Sequence, residues 1–163
     1  MGSGMAKPHI LLGETVAGLS GLEQLQGIVA GRFGQPTMCE TLGFRLVAAG
    51  ESEATFVGRP TGAMMNPFGT VHGGWASSVL DSAMGCAVHS TLGSGENFTT
   101  LELKINLTRA LRPDMAPLTA RGTIVTRGRR IAVSEARLLD EEGRVCAAGT
   151  STCLIIRPDG ASG

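Results

Sequence analysis

The stretch GTVHGGWASSVLD, Gly69 to Asp81, sets the fold. His72 is followed by two glycines, then by small and apolar residues, and a carboxylate arrives nine residues after the histidine. Asp81 is the sole fully charged residue between Arg59 and Glu96. Breaker-rich sequence from Pro60 to Thr70 precedes this run, and Gly93-Ser94-Gly95 follows it. Between them Gly73 to Leu92 reads as one long helix. It is small or apolar on almost every side, the pattern of a buried helix. Its length approaches a membrane span, but Asp81, His89 and several serines argue against one.

Working outward, Leu22, Leu25, Val29 and Phe33 recur at helical spacing, so Ser20 to Arg32 reads as a short amphipathic helix. Ser20 with Glu23 makes a capping box, and Gly34 and Pro36 end the helix. Strands are expected over Leu42–Ala49 and Glu53–Arg59, with Gly50-Glu51-Ser52 as their turn. Beyond the long helix the period changes to two. Leu101, Leu103, Ile105 and Leu107 alternate with polar residues, the signature of a half-buried strand. Leu118–Thr126, Ile131–Leu139 and Val145–Ile156 continue the series through short turns, which implies antiparallel neighbours. The expected fold is α+β: a curved antiparallel sheet wrapped around one long central helix, with a short N-terminal helix. Residues 1–19 read as an N-terminal extension, 20–158 as a single domain and 159–163 as a C-terminal tail. A sheet over one helix leaves edge strands open to pairing with a second copy.

The 14 basic and 14 acidic residues cancel, which removes weight from nucleic-acid binding. Cys39, Cys86, Cys146 and Cys153 show no C-x-x-C pair and no ligand spacing with a histidine. Free buried thiols in a reducing compartment, hence a cytoplasmic location and no metal, are expected. Cys146 and Cys153 are seven apart, so an unbroken strand would point them to opposite faces. No charged-then-apolar leader pattern opens the chain. Ser77 and Ser78 lack a G-x-S-x-G elbow, and no phosphate-binding glycine fingerprint is present.

Asn66-Pro67-Phe68-Gly69-Thr70-Val71-His72-Gly73-Gly74, followed by Asp81 inside Val79-Leu80-Asp81-Ser82-Ala83, resembles the hotdog-fold acyl-CoA thioesterases. The likeness is strongest to the branch typified by phenylacetate-pathway thioesterases, and it spans Pro36 to Ile156. One departure is Arg109 followed by Ala110, where relatives often carry Arg-Pro. The resemblance implies hydrolysis of an acyl- or aryl-CoA thioester by a homodimer or a dimer of dimers (a homotetramer). It further implies that the Gly73 N–H holds the oxyanion, and that Asn66 orients the leaving thiolate, His72 or the water. Thr100 would hold the attacking water, with Thr99 as its rival. CoA is part of the substrate, so no separate cofactor is expected.

Elementary chemistry supports these roles. A helix N-terminus presents unpaired N–H groups and the positive end of the macrodipole, and glycine lets a substrate approach them. Asp81 can serve as base toward water or as nucleophile toward the thioester; both roles stay open. His72 reads as a positioning group, with general base as the other reading. Gly73 and Asp81 lie about 12 Å apart along one helix, so one chain cannot bring both to one carbonyl, whereas two antiparallel helices can. Gly74 is expected at the substrate, and Arg127, Gly128, Arg129 and Arg130 form either a solvated turn or a clamp for CoA phosphates. Met65, Phe68 and Trp75, with Met64, line either an acyl pocket or the core. A hydratase or dehydratase of acyl thioesters and a non-catalytic acyl-CoA sensor are the competing readings. The acyl group itself is left open.

Overall fold

The computed structural model describes residues 16–158. The expected tail at 159–163, and the extension at 1–19 apart from residues 16–19, lie outside the described residues. The chain forms α1 (Gly21–Val29), α2 (Thr37–Leu42), β1 (Phe44–Gly50), β2 (Glu53–Gly58), α3 (Gly73–His89), β3 (Asn97–Leu107), β4 (Leu118–Arg127), β5 (Ile131–Leu139) and β6 (Val145–Ile156). A 3-10 turn at Gly62–Met64 interrupts the loop before α3. The capping box forms at α1: Ser20 Oγ accepts the Glu23 N–H, and the Glu23 carboxylate accepts the Ser20 N–H.

All six strands join one antiparallel sheet in the order β1-β2-β4-β5-β6-β3. After β2 the chain crosses the sheet as α3 and descends at the far edge as β3. The sheet therefore wraps α3, as expected. Trp75, Ala76, Val79, Leu80, Ala83 and Met84 of α3 are buried against it. Full burial of side chains such as Leu80 and Met84 contributes about 1.5–3 kcal/mol each. Small residues set the close approach. A Cβ at Gly122 of β4 would run into the Ala83 carbonyl, so the helix rests directly on that strand.

Four features depart from the sequence-based expectations. First, α2 occupies Thr37–Leu42, where only the start of a strand is expected. Pro36 marks a helix end in the sequence, but here it sits at the N-cap of a new helix, a place where a missing N–H costs nothing. Second, α3 is not buried all round: Gly74 is exposed, and Ser77, Ser78, Asp81, Ser82 and Cys86 are half-buried along one stripe. Third, β3 begins at Asn97 and bulges at Leu101, where the pairing with β6 skips a residue. The bulge reverses the alternation. Thr100 then faces α3 on one side of it and Ile105 packs on the core on the other, while Leu101 is 56% exposed. Fourth, an extra residue in β6 breaks the alternation near Cys146, and Cys146 and Cys153 are both buried. All four cysteines are free thiols.

Candidate active site

The loop before α3 is fixed by one side chain. Asn66 Oδ1 accepts the N–H groups of Phe68 at 2.9 Å and Thr70 at 3.3 Å, and Asn66 Nδ2 donates to Thr70 Oγ1 at 2.7 Å. Asn66 thereby closes the turn on itself, the local bonding that suits asparagine to turns. Two backbone bonds pin the exit: Val71 N–H to the Leu111 carbonyl at 2.9 Å, and His72 N–H to the Met64 carbonyl at 2.8 Å.

His72 is the N-cap of α3 and has extended backbone angles. Its Nδ1 accepts the Gly74 N–H at 2.9 Å. That bond occupies the Gly74 donor. The Gly73 N–H meets no acceptor among the described residues, and it stands at the positive end of a seventeen-residue helix. Gly73 opens onto a cleft of about 320 Å³, bordered by Asn66, Thr70, Val71 and the segment Leu107–Leu111. A Cβ at Gly73 would lie 3.1 Å from Leu107 Cδ1.

Asp81 lies two turns further along α3 and does not border that cleft. Thr100 Oγ1 donates to its Oδ1 at 3.2 Å. Burial raises the Asp81 pKa, and the Thr100 bond partly offsets this. Among the described residues no charged partner neutralises the group, so it combines two properties of a base: partial desolvation and a fixed orientation. The register that carries Thr100 inward leaves Thr99 exposed.

The other residues separate into two groups. Met64 and Met65 are half-buried against the core near the site loop, and Phe68 stands 91% exposed at the loop tip. Trp75 is core: it is buried, and its indole N–H donates to the Leu42 carbonyl at 2.7 Å. At the β4–β5 turn, Gly128 N–H bonds the Ile131 carbonyl at 2.8 Å. Arg127 is held by Glu96 at 3.4 Å, and Arg157 bonds the same carboxylate at 2.9 Å. Bonding from the Gly93 N–H, then from the two arginines, holds the Glu96 pKa below its ordinary value. Arg129 and Arg130 are exposed, and with Arg157 they rim a cleft of about 410 Å³ floored by Leu154, Ile155 and Ile156. Glu96 and Arg157 lie far apart in sequence, and no motif marks them. Among the described residues, no group of three or more His, Cys, Asp or Glu is placed to hold a metal ion, and no helix is long and apolar enough to cross a membrane.

A six-stranded antiparallel sheet wrapped around one long central helix is the arrangement of hotdog-fold thioesterases. The chain belongs to the thioesterase superfamily, which its sequence matches over residues 68–147. It is 31% identical over 118 residues to a Haemophilus influenzae protein named as a candidate esterase, a match spanning 71% of this chain and 82% of the relative. The crystal structure of a Haemophilus influenzae thioesterase superposes with a TM-score of 0.71 at 25% identity, covering 87% of this chain and 94% of that one. A candidate thioesterase related to phenylacetic acid degradation, from Ralstonia eutropha JMP134, gives a TM-score of 0.72 at 26% identity, covering 80% and 98%.

Proposed function

We propose that the protein hydrolyses an acyl- or aryl-CoA thioester to the free acid and CoA. The thioester carbonyl oxygen accepts the Gly73 N–H, which strengthens as the oxyanion develops. Asp81 takes a proton from water as it attacks, or attacks the carbonyl itself. Thr100 holds the carboxylate in line. The thiolate of CoA is a good leaving group, so no serine triad is needed.

The observation that carries this reading is the division of α3. Its free donor borders one cleft, and its carboxylate lies about 12 Å away along the axis. One thioester reaches both only if each comes from a different chain. Two features favour such a pairing. Among the described residues the edge strand β3 has no neighbour on its outer side, and it exposes Leu101, Leu103 and Leu107. The half-buried stripe of α3 is built of small residues that permit close approach. We therefore infer a dimer with two shared sites, and two dimers associating as a homotetramer. The arginine-rimmed cleft suits the CoA phosphates through Arg129 and Arg130, with Arg127 holding the turn. The likeness to a protein related to phenylacetic acid degradation favours an arylacetyl group among the candidates. Four free thiols suit a reducing cytoplasm.

The test is release of free CoA thiol across a panel of aryl, arylacetyl and medium-chain thioesters, with Asp81→Ala beside the wild type. Turnover by the wild type, and its loss in Asp81→Ala with CoA binding retained, is the expected result. A wild type that binds CoA thioesters but hydrolyses none would make the protein a sensor.

A further inference from the structure

The cleft onto which Gly73 opens has a volume of about 320 Å³. That is the lower end of the range for small-molecule sites, enough for an acyl group but not for CoA beside it. One wall is apolar. A Cβ at Gly73 would lie 3.1 Å from Leu107 Cδ1 and 3.9 Å from Leu107 Cδ2. The Leu107 side chain therefore stands directly beside the free N–H, and it is 51% exposed.

The polar side chains that border the cleft are, with one exception, engaged inside the fold. Asn66 and Thr70 bond each other within the turn, and Thr108 Oγ1 donates to the Val145 carbonyl at 2.9 Å. Arg109 is the exception. Among the described residues its guanidinium makes no ion pair and no hydrogen bond, and no acidic residue borders the cleft. Other exposed arginines at this end of the sheet are paired: Arg112 meets Asp114 at 3.5 Å, and Arg144 meets Asp140 at 2.7 Å. The backbone beneath Arg109 is held. The Thr108 and Arg109 N–H groups both bond the Cys146 carbonyl, at 2.9 and 3.2 Å, and the Leu111 carbonyl accepts the Val71 N–H. An uncompensated cation thus stands on a fixed strand end at the edge of the cleft.

We propose that this cleft is the acyl pocket and that it takes an acyl group with an apolar body and a carboxylate at its far end, the CoA half-thioester of a dicarboxylic acid. Leu107 packs on the body, and Arg109 pairs with the carboxylate. This rests on the reading of Gly73 as the oxyanion donor of a thioester hydrolase. Such a substrate carries anions in two places. The phosphates of CoA lie a full pantetheine arm from the thioester, beyond a cleft of this size, and the cleft at Arg129 and Arg130 suits them. The anion within reach of Arg109 therefore belongs to the acyl group. An arylacetyl body with a carboxylate on its ring meets the same description.

The test uses matched thioesters: hexanoyl-CoA beside adipoyl-CoA, and phenylacetyl-CoA beside its para-carboxy derivative. In the wild type the carboxylated member of each pair should have the higher kcat/KM, by about tenfold. Arg109→Gln should bring each ratio toward one, and Arg109→Lys, which keeps the charge, should retain part of it. Leu107→Ser should lower kcat/KM for both members of a pair and leave their ratio in place. Arg109 is exposed, so its variants should melt with the wild type. Equal kcat/KM for the two members in the wild type would overturn the proposal. So would an equal loss for both in Arg109→Gln, which would put Arg109 on the CoA half that they share. A wild type that hydrolyses no thioester would overturn the hydrolase reading instead. Calorimetric binding of the same pairs to the wild type and to Arg109→Gln would then still decide whether Arg109 reads the carboxylate.

Discussion

His72 Nδ1 accepts the Gly74 N–H at 2.9 Å, and this bond divides two adjacent glycines into one capped donor and one open donor. It also fixes the ring: a neutral His72 that accepts at Nδ1 carries its proton on Nε2. ¹⁵N NMR of the imidazole at pH 8 should show that tautomer. His72→Ala should lose the cap and about 1 kcal/mol of stability, with turnover falling because the Gly73 turn loosens. His72→Asn, a good N-cap, should restore the melting temperature and most of kcat. Restored stability with kcat still at the His72→Ala level would instead put the ring on the substrate.

Asp81 makes stability and activity oppose each other. Burial raises its pKa above the usual 3.8. The folded protein then holds that proton more tightly than the unfolded chain does. The stability this contributes is complete below the unfolded pKa and is lost as pH rises through the folded one. Asp81→Asn never ionises, so it should melt above the wild type at pH 8, and the advantage should fade as pH falls toward about 4. Its turnover should fall by about 10²–10⁴-fold. Thermal melts across pH check this, and a variant less stable than the wild type at pH 8 would contradict it.

The arginine turn holds two kinds of arginine. Arg127 is tied to Glu96, whereas Arg129 and Arg130 are exposed at the cleft. Arg127→Ala should lower stability by about 1 kcal/mol. Arg129→Ala and Arg130→Ala should leave the melt in place and raise KM for a CoA thioester several-fold. Salt raised from about 50 to about 300 mM should raise the wild-type KM and narrow its difference from those variants. A KM that neither mutation nor salt changes would remove the clamp.

The sequence was legible where local chemistry decides. Gly73–His89 stands out because breakers flank a run of small residues, and β4 to β6 stand out because short turns separate alternating strands. The parts that could not be read depend on partners far away in the chain. Nothing local announces the bulge at Leu101, yet it is this bulge that turns Thr100 toward Asp81 and leaves Thr99 outside. Pro36 signals a helix end in the local sequence, yet in the fold it is the N-cap of α2. Trp75 and Met65 are both apolar, and only the packing separates a core indole bonded to Leu42 from a half-buried methionine near the site loop. Glu96 and Arg157 are 61 residues apart, and the β3–β6 pairing joins them.

The shared site is the central claim, and a mixed dimer tests it most directly. Gly73 is the first residue of α3, a position where proline is tolerated, and His72 already has the extended angles that proline favours in its predecessor. Gly73→Pro thus removes the key N–H with little cost to the helix. Gly73→Pro and Asp81→Asn chains should each be inactive alone. After joint refolding, random pairing makes about half the dimers mixed, each with one intact site, so thioester hydrolysis should return to about a quarter of the wild-type rate. Mixed dimers that form and stay inactive would contradict the account.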